Sequence, residues 1–152
     1  MSLNELVRWD IENTGRMVDL VLQDVTPEEA VKRPSGLAPV VWQLGHLAVA
    51  DGAIAQALSG DDGLVPDRYK GLFARGTAGD GPFPPLAEVK DVFARIQARL
   101  LELAGGDLER PVDGGRLYAT AGQALLFANR HRWYHIGKIM TLRALLDKPR
   151  LM

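Results

Sequence analysis

Cysteine is absent from this 152-residue chain. That excludes disulfides, thiolate metal ligands and a protein thiol nucleophile together, so any thiol chemistry has to arrive with a substrate or cosubstrate. Also missing is an apolar run near the ~20 residues that a transmembrane helix needs, so no membrane partner is expected. The N-terminal M-S-L-N-E-L-V-R-W-D is polar and amphipathic and has no signal-peptide h-region, which makes the cytoplasm the expected location. Charge of one sign is scarce too: 18 Lys and Arg stand against 19 Asp and Glu, interspersed along the chain. Nothing forms the basic stripe that binding to a phosphate backbone requires, which argues against nucleic acid as a partner. Apolar residues at 47% exclude a disordered or fibrous chain. The length suits one domain, residues 1–152, with a core of its own.

Strand-like alternation is lacking, and what fills its place is helical period. Leu3, Leu6, Val7, Ile11, Met17, Val18, Val21, Leu22 and Val25 recur at three- and four-residue steps and predict an amphipathic helix over 3–25. Thr26-Pro27-Glu28-Glu29 starts a short second helix, with Thr26 as cap, Pro27 in the first position and Glu29 closing a capping box. Pro34-Ser35-Gly36 ends it. A long helix over 39–58 stops at Ser59-Gly60. Another over 85–104 carries Leu86, Val89, Val92, Phe93, Ile96, Leu100 and Leu103 as its buried stripe. Thr120 to Gln123 reads as a capping box opening a last helix that runs to about Leu146.

Between the second and third long helices lies a stretch rich in Gly, Asp and Pro, 59–83, with Tyr69, Leu72 and Phe73 suggesting one anchored turn. A structureless connection of ~25 residues is unusual in a compact domain. A helix of about 28 Å followed by so long a connection fits a crossover that returns along the bundle and starts the next helix parallel. The expected architecture is all-α: a single four-helix bundle, with a long crossover between its second and third long helices.

Histidine is nearly as scarce as cysteine, with only His46, His131 and His135. The last two form H-x3-H, which places two imidazoles on one helical face roughly 6 Å apart along the axis. His46 lies on another helix, in W-Q-L-G-H-L. If it meets the pair, three neutral imidazoles share one cation and leave an open position, an arrangement typical of catalytic sites. Imidazole donors suit Zn, Ni, Cu and Fe alike. The bland alternative is that each histidine is a core residue bonded to a carbonyl. Three buried imidazoles without a shared partner, however, leave polar nitrogens to satisfy.

Ala121, Ala124 and Ala128 precede the pair on a face that continues to Leu142 and Leu145, and Pro39, Gln43, Ala50, Ala53 and Ala57 accompany His46. These small residues signify either close helix packing or a cavity beside the histidines. Trp42 and Trp133 read as core or interface aromatics. Asp51 is a candidate either to support the ligands from behind or to act as a base, though five residues on from His46 and rotated off the ligand face. No H-E-x-x-H or repeated E-x-x-H occurs, which argues against a zincin protease and a di-iron carboxylate site. The loop G-T-A-G-D-G at 76–81 lacks the lysine of a phosphate-binding P-loop.

W-Q-L-G-H-L at 42–47, taken with H-R-W-Y-H-I-G-K-I-M-T-L-R at 131–143, resembles the DinB/YfiT-like superfamily of small metalloproteins, over about residues 3–146. The resemblance implies an up-down-down-up four-helix bundle with a divalent metal, commonly nickel or zinc, on His46, His131 and His135. It implies as activity a thiol-dependent S-transfer in detoxification or stress response, with bacillithiol, mycothiol or glutathione as cosubstrate and a small molecule as substrate. A metal-dependent hydrolase and a non-catalytic metal-binding bundle are the alternatives. Relatives often carry Gln where this chain has Lys138, whose ammonium either repels the metal, snorkels outward or attracts an anionic substrate. A homodimer through a helix face is a further expectation.

Overall fold

The structure is a computed structural model that describes residues 1–151. Six α-helices carry the fold, and no strand occurs among the described residues. The nearest approach to one is an isolated bridge between Pro111 and Thr120. Four helices are long: α1 (Leu3–Leu22), α3 (Val40–Ser59), α5 (Leu86–Leu103) and α6 (Ala121–Leu145). Two are short: α2 (Pro27–Ala30) and α4 (Asp67–Leu72).

Local chemistry explains the boundaries. Ser2 and Glu5 close a capping box on α1: the Ser2 hydroxyl accepts from the Glu5 amide at 3.2 Å, and the Ser2 amide donates to Glu5 at 2.6 Å. The helix stops at Leu22, short of the predicted Val25, because Val25 already belongs to a turn in which its amide donates to Leu22. Thr26 and Glu29 cap α2 as the sequence predicts. At α6 the predicted box does not close. Thr120 accepts from the Gln123 amide, but the Gln123 side chain accepts from Ala119 instead of from Thr120. Gly60, at φ 77°, ends α3 in the left-handed conformation that only glycine adopts freely.

The long helices pack as the pairs α3–α5, α3–α6, α1–α6 and α1–α5. Helix α5 buries its predicted stripe from Leu86 to Leu100, with only Leu103 half-exposed. Helix α3 is covered on most sides, which accounts for its apolar sequence. No single helix is long and apolar enough to cross a membrane.

One predicted face holds in the main and one needs correction. In α6 the predicted Ala121, Ala124, Ala128, His135 and Leu142 are buried, joined by Leu125, Arg132 and Ile139, and only Leu145 departs, at 45% exposure. In α3 Ala53 and Ala57 point to solvent, and the buried line runs through Leu44, Leu47, Asp51, Ile54 and Leu58. The predicted α3 face is rotated toward solvent, because His46 lies at the edge of that helix's apolar face and not along its middle.

The middle of α6 is held by a polar network. Arg132 and Asp51 are both fully buried, with Nε donating to Oδ2 at 2.7 Å. Arg132 also donates to Gln97 and stands over the Phe93 ring, 5.0 Å from its centroid. The neighbouring Asn129 donates to Asp10 at 2.9 Å, and its carbonyl accepts from Thr14 at 2.8 Å. These bonds tie α6 to α1, α3 and α5 at one level and fix its rotation about its own axis. Asp51 is therefore a packing residue paired with Arg132. Burial pushes its carboxyl up from the usual range, against the pull of the guanidinium.

Candidate metal centre

Helices α3 and α6 bring the three histidines together. One ring nitrogen from each lies within 4.8 Å of the others, close enough to hold one metal ion. His131 and His135 approach through their Nε2 atoms at 3.1 Å. Two ligands of one tetrahedral zinc stand about 3.3 Å apart when each Zn–N bond is ~2.0 Å. His135 is buried, and the other two are half-buried.

What lies behind each ring sets which nitrogen is free. His135 Nδ1 is 2.7 Å from Gln43 Oε1. The Gln43 amide nitrogen donates to Ala38 O at 3.1 Å, so the carboxamide oxygen must face the histidine. His46 Nδ1 is 2.8 Å from the carbonyl oxygen of Phe73. Carbonyl acceptors place the proton on Nδ1 in both rings and leave the Nε2 lone pairs for a cation. His131 Nδ1 is buried without a partner among the described residues. Aromatic neighbours restrain the rings further. Trp42 stacks on His46 at 4.9 Å, and Phe127 lies nearly parallel to His131 at 6.1 Å.

The W-Q-L-G-H segment thus has a use for nearly every residue. Trp42 backs His46, Gln43 orients His135, and Gly45 admits the Phe73 ring where a Cβ would collide with it. That close approach brings the Phe73 carbonyl to His46. Phe73 and Tyr69 are fully buried, so the anchored turn predicted in the long connection is present, as α4 and the residue after it. The tie to His46 was not legible in sequence because a backbone carbonyl has no residue signature. Gln43 did carry a signal, standing three residues before His46 on the same helix.

The three rings are part of the wall of a cavity of about 590 Å³. Its walls are Trp42, Phe127, Tyr134, Leu37 and Leu117, with Arg75 and Lys138 alongside. The sequence-predicted alanines of α3 and α6 do not line it; of the small residues only Ala38 does. Trp42 belongs to this wall as well as to the core, whereas Trp133 points to solvent at 41% exposure. The size suits a small organic molecule.

Burial and neighbouring imidazoles hold His131 and His135 neutral. His131 is pushed down to about 4, first by burial and then by His46. His135 is pushed down to about 3, by burial first and then by His131, His46 and Lys138. Neutral rings are the metal-binding form, so no proton has to leave at pH 7. The same shifts set a pH dependence for the metal-free protein. Below the ordinary histidine value of 6.5 the unfolded chain takes up protons that the folded chain refuses, so stability falls as pH falls. After chelation, the Tm should drop steadily between pH 7 and 5.5. A flat Tm over that window would mean the rings are not held neutral.

Gln43→Leu keeps the volume and removes the acceptor for His135. It should weaken metal affinity by about 10- to 100-fold while leaving the helical circular dichroism unchanged. Competition against a chromophoric chelator measures the loss, and an unaltered affinity would show that Gln43 does not orient the ring.

No curated protein matches the chain. A model of the DinB superfamily matches residues 10–139, a span that includes all three histidines, the long connection and most of α6.

Proposed function

We propose, for a chain that belongs to the DinB superfamily, a metal-dependent thiol S-transferase that acts on a small electrophile. One observation carries this reading. Three imidazoles, two of them locked from behind by carbonyl oxygens, turn donor nitrogens toward one point in the wall of an apolar cavity in a protein that has no nucleophilic thiol of its own. His46, His131 and His135 would hold the ion, zinc or nickel by family resemblance. When bound, a divalent ion on neutral ligands supplies Lewis acidity, which lowers the pKa of a thiol so that thiolate is present at neutral pH.

The chain's own residues supply the rest. Trp42, Phe127 and Leu117 offer apolar surface to the electrophile. Gln43 and the Phe73 carbonyl keep the ring nitrogens aimed. In the transfer a sulfur–carbon bond forms as the carbon–leaving-group bond breaks, and the thiol proton leaves to solvent. The reading includes the up-down-down-up arrangement of α1, α3, α5 and α6. It assigns the protein to the cytoplasm, where low-molecular-weight thiols are kept reduced, and to detoxification or stress response.

Elemental mass spectrometry and a conjugation assay test it together. Untagged protein should carry about one zinc or nickel per chain, and it should consume a thiol in step with an activated aryl halide. Hydrolysis of activated esters without thiol consumption would replace the transferase with a hydrolase. Metal-loaded protein that turns over neither class would leave a binding module.

A further inference from the structure

Ion pairs are common on this surface, yet two cations at the histidine cavity have none. Lys138 and Arg75 both line the cavity, and neither makes a salt bridge among the described residues. Among the described residues no aspartate or glutamate lines it, in a chain that has 19 of them. The cavity is therefore positive before any metal binds, although the protein as a whole has a net charge of −1.

Neither cation is on a loose segment. Lys138 is one helical turn beyond His135, and its ammonium stands 5.3 Å from the centre of the Tyr134 ring. Arg75 follows α4 and lies between two fastenings. On one side the Phe73 carbonyl is bonded to His46, and on the other Thr77 accepts from the Trp42 indole at 2.7 Å. The Thr77 hydroxyl in turn donates to Ala74 O at 2.9 Å. Arg75 is thus held between contacts to two residues of the site. Most of the remaining lining is aromatic or aliphatic: Trp42, Phe127, Tyr134, Leu37, Leu117 and Leu142.

We propose that this cavity selects an amphiphilic organic anion: a molecule whose carboxylate is met by Lys138 and Arg75 and whose apolar body packs on Trp42, Phe127 and Leu117. The proposal rests on the transferase reading for its place in a reaction, but the anion-binding chemistry stands apart from it. An anionic group favours a wall with uncompensated positive charge, and an apolar body supplies the burial that a free inorganic anion lacks.

Calorimetric titration of the metal-loaded protein with 4-phenylbutyrate, and with its neutral amide, tests this. The acid should bind about tenfold or more tighter than the amide, the scale of one charge-assisted hydrogen bond. In the double variant Lys138→Gln, Arg75→Gln that preference should disappear, with amide affinity and metal content unchanged. Both residues are exposed, so the variant should fold. Repeating the titration after chelation removes the metal's own pull on the carboxylate, and the preference should persist there too. Equal affinity for acid and amide, a preference that survives the double variant, or no binding of either probe would overturn the proposal. Acid binding that behaves as expected in a protein that fails the conjugation assay would sink the transferase and leave the anion site.

Discussion

His135→Ala should empty the metal centre. The variant is expected to carry less than about a tenth of the wild-type metal, because a site of three imidazoles that loses its most buried one keeps only two ligands on different helices. The fold should survive, since the lost ring is at the cavity wall and its partner Gln43 can turn to water there. Elemental analysis beside far-ultraviolet circular dichroism separates the two effects. Wild-type metal content in a folded His135→Ala protein would remove the metal centre and the transferase reading with it. His46→Ala should behave alike, and it would also free the Phe73 carbonyl, so its Tm should fall further.

Asp51→Ala should be the most destabilising single change outside the hydrophobic core. Among the described residues its carboxylate is the only acid that pairs with Arg132, and both side chains have no exposure to solvent. Removing one member of a buried pair leaves an uncompensated charge and costs about 3–5 kcal/mol. For a domain of this size that lowers Tm by on the order of 10 °C. Asp51→Leu combined with Arg132→Met replaces the pair by apolar groups and should recover most of the loss. Thermal unfolding of both variants tests the network. A single variant as stable as wild type would mean that Gln97 and the Ile11 carbonyl suffice for the guanidinium. Because Arg132 stands next to His131, the single variant should also bind metal less tightly than the double.

The helices and the three histidines were legible because their signals are local. Caps, glycine stops and the three-to-four step are written in neighbouring residues, and α5 came out with its buried stripe almost complete. The orientation of α3 was harder to read. Alanines at helical spacing mark the inward face correctly in α6, where Ala121, Ala124 and Ala128 are buried, but not in α3, which turns Asp51 inward toward Arg132 and leaves Ala53 and Ala57 in solvent. Hydrophobic patterning cannot foresee this, since it ranks a buried Arg–Asp pair as surface. Gln43 gained its role only through contact with a distant segment, His135 being 92 residues away. The cavity lining followed the same logic: Phe127 and Leu117 reach it from a helix and a loop with no shared motif.

The bond from His46 to Phe73 has a thermodynamic consequence. The segment from Ala74 to Gly81 has little regular structure and is fastened to α3 chiefly through the site itself. If His46, His131 and His135 hold an ion, the His46 Nδ1–H would become a better donor and its hold on the Phe73 carbonyl would tighten. By linkage, a segment that is better ordered with the ion bound must in its turn raise the affinity for the ion. Loop order and ion affinity would then rise and fall as one equilibrium, and the stretch of chain that carries Arg75 would report whether the centre is filled.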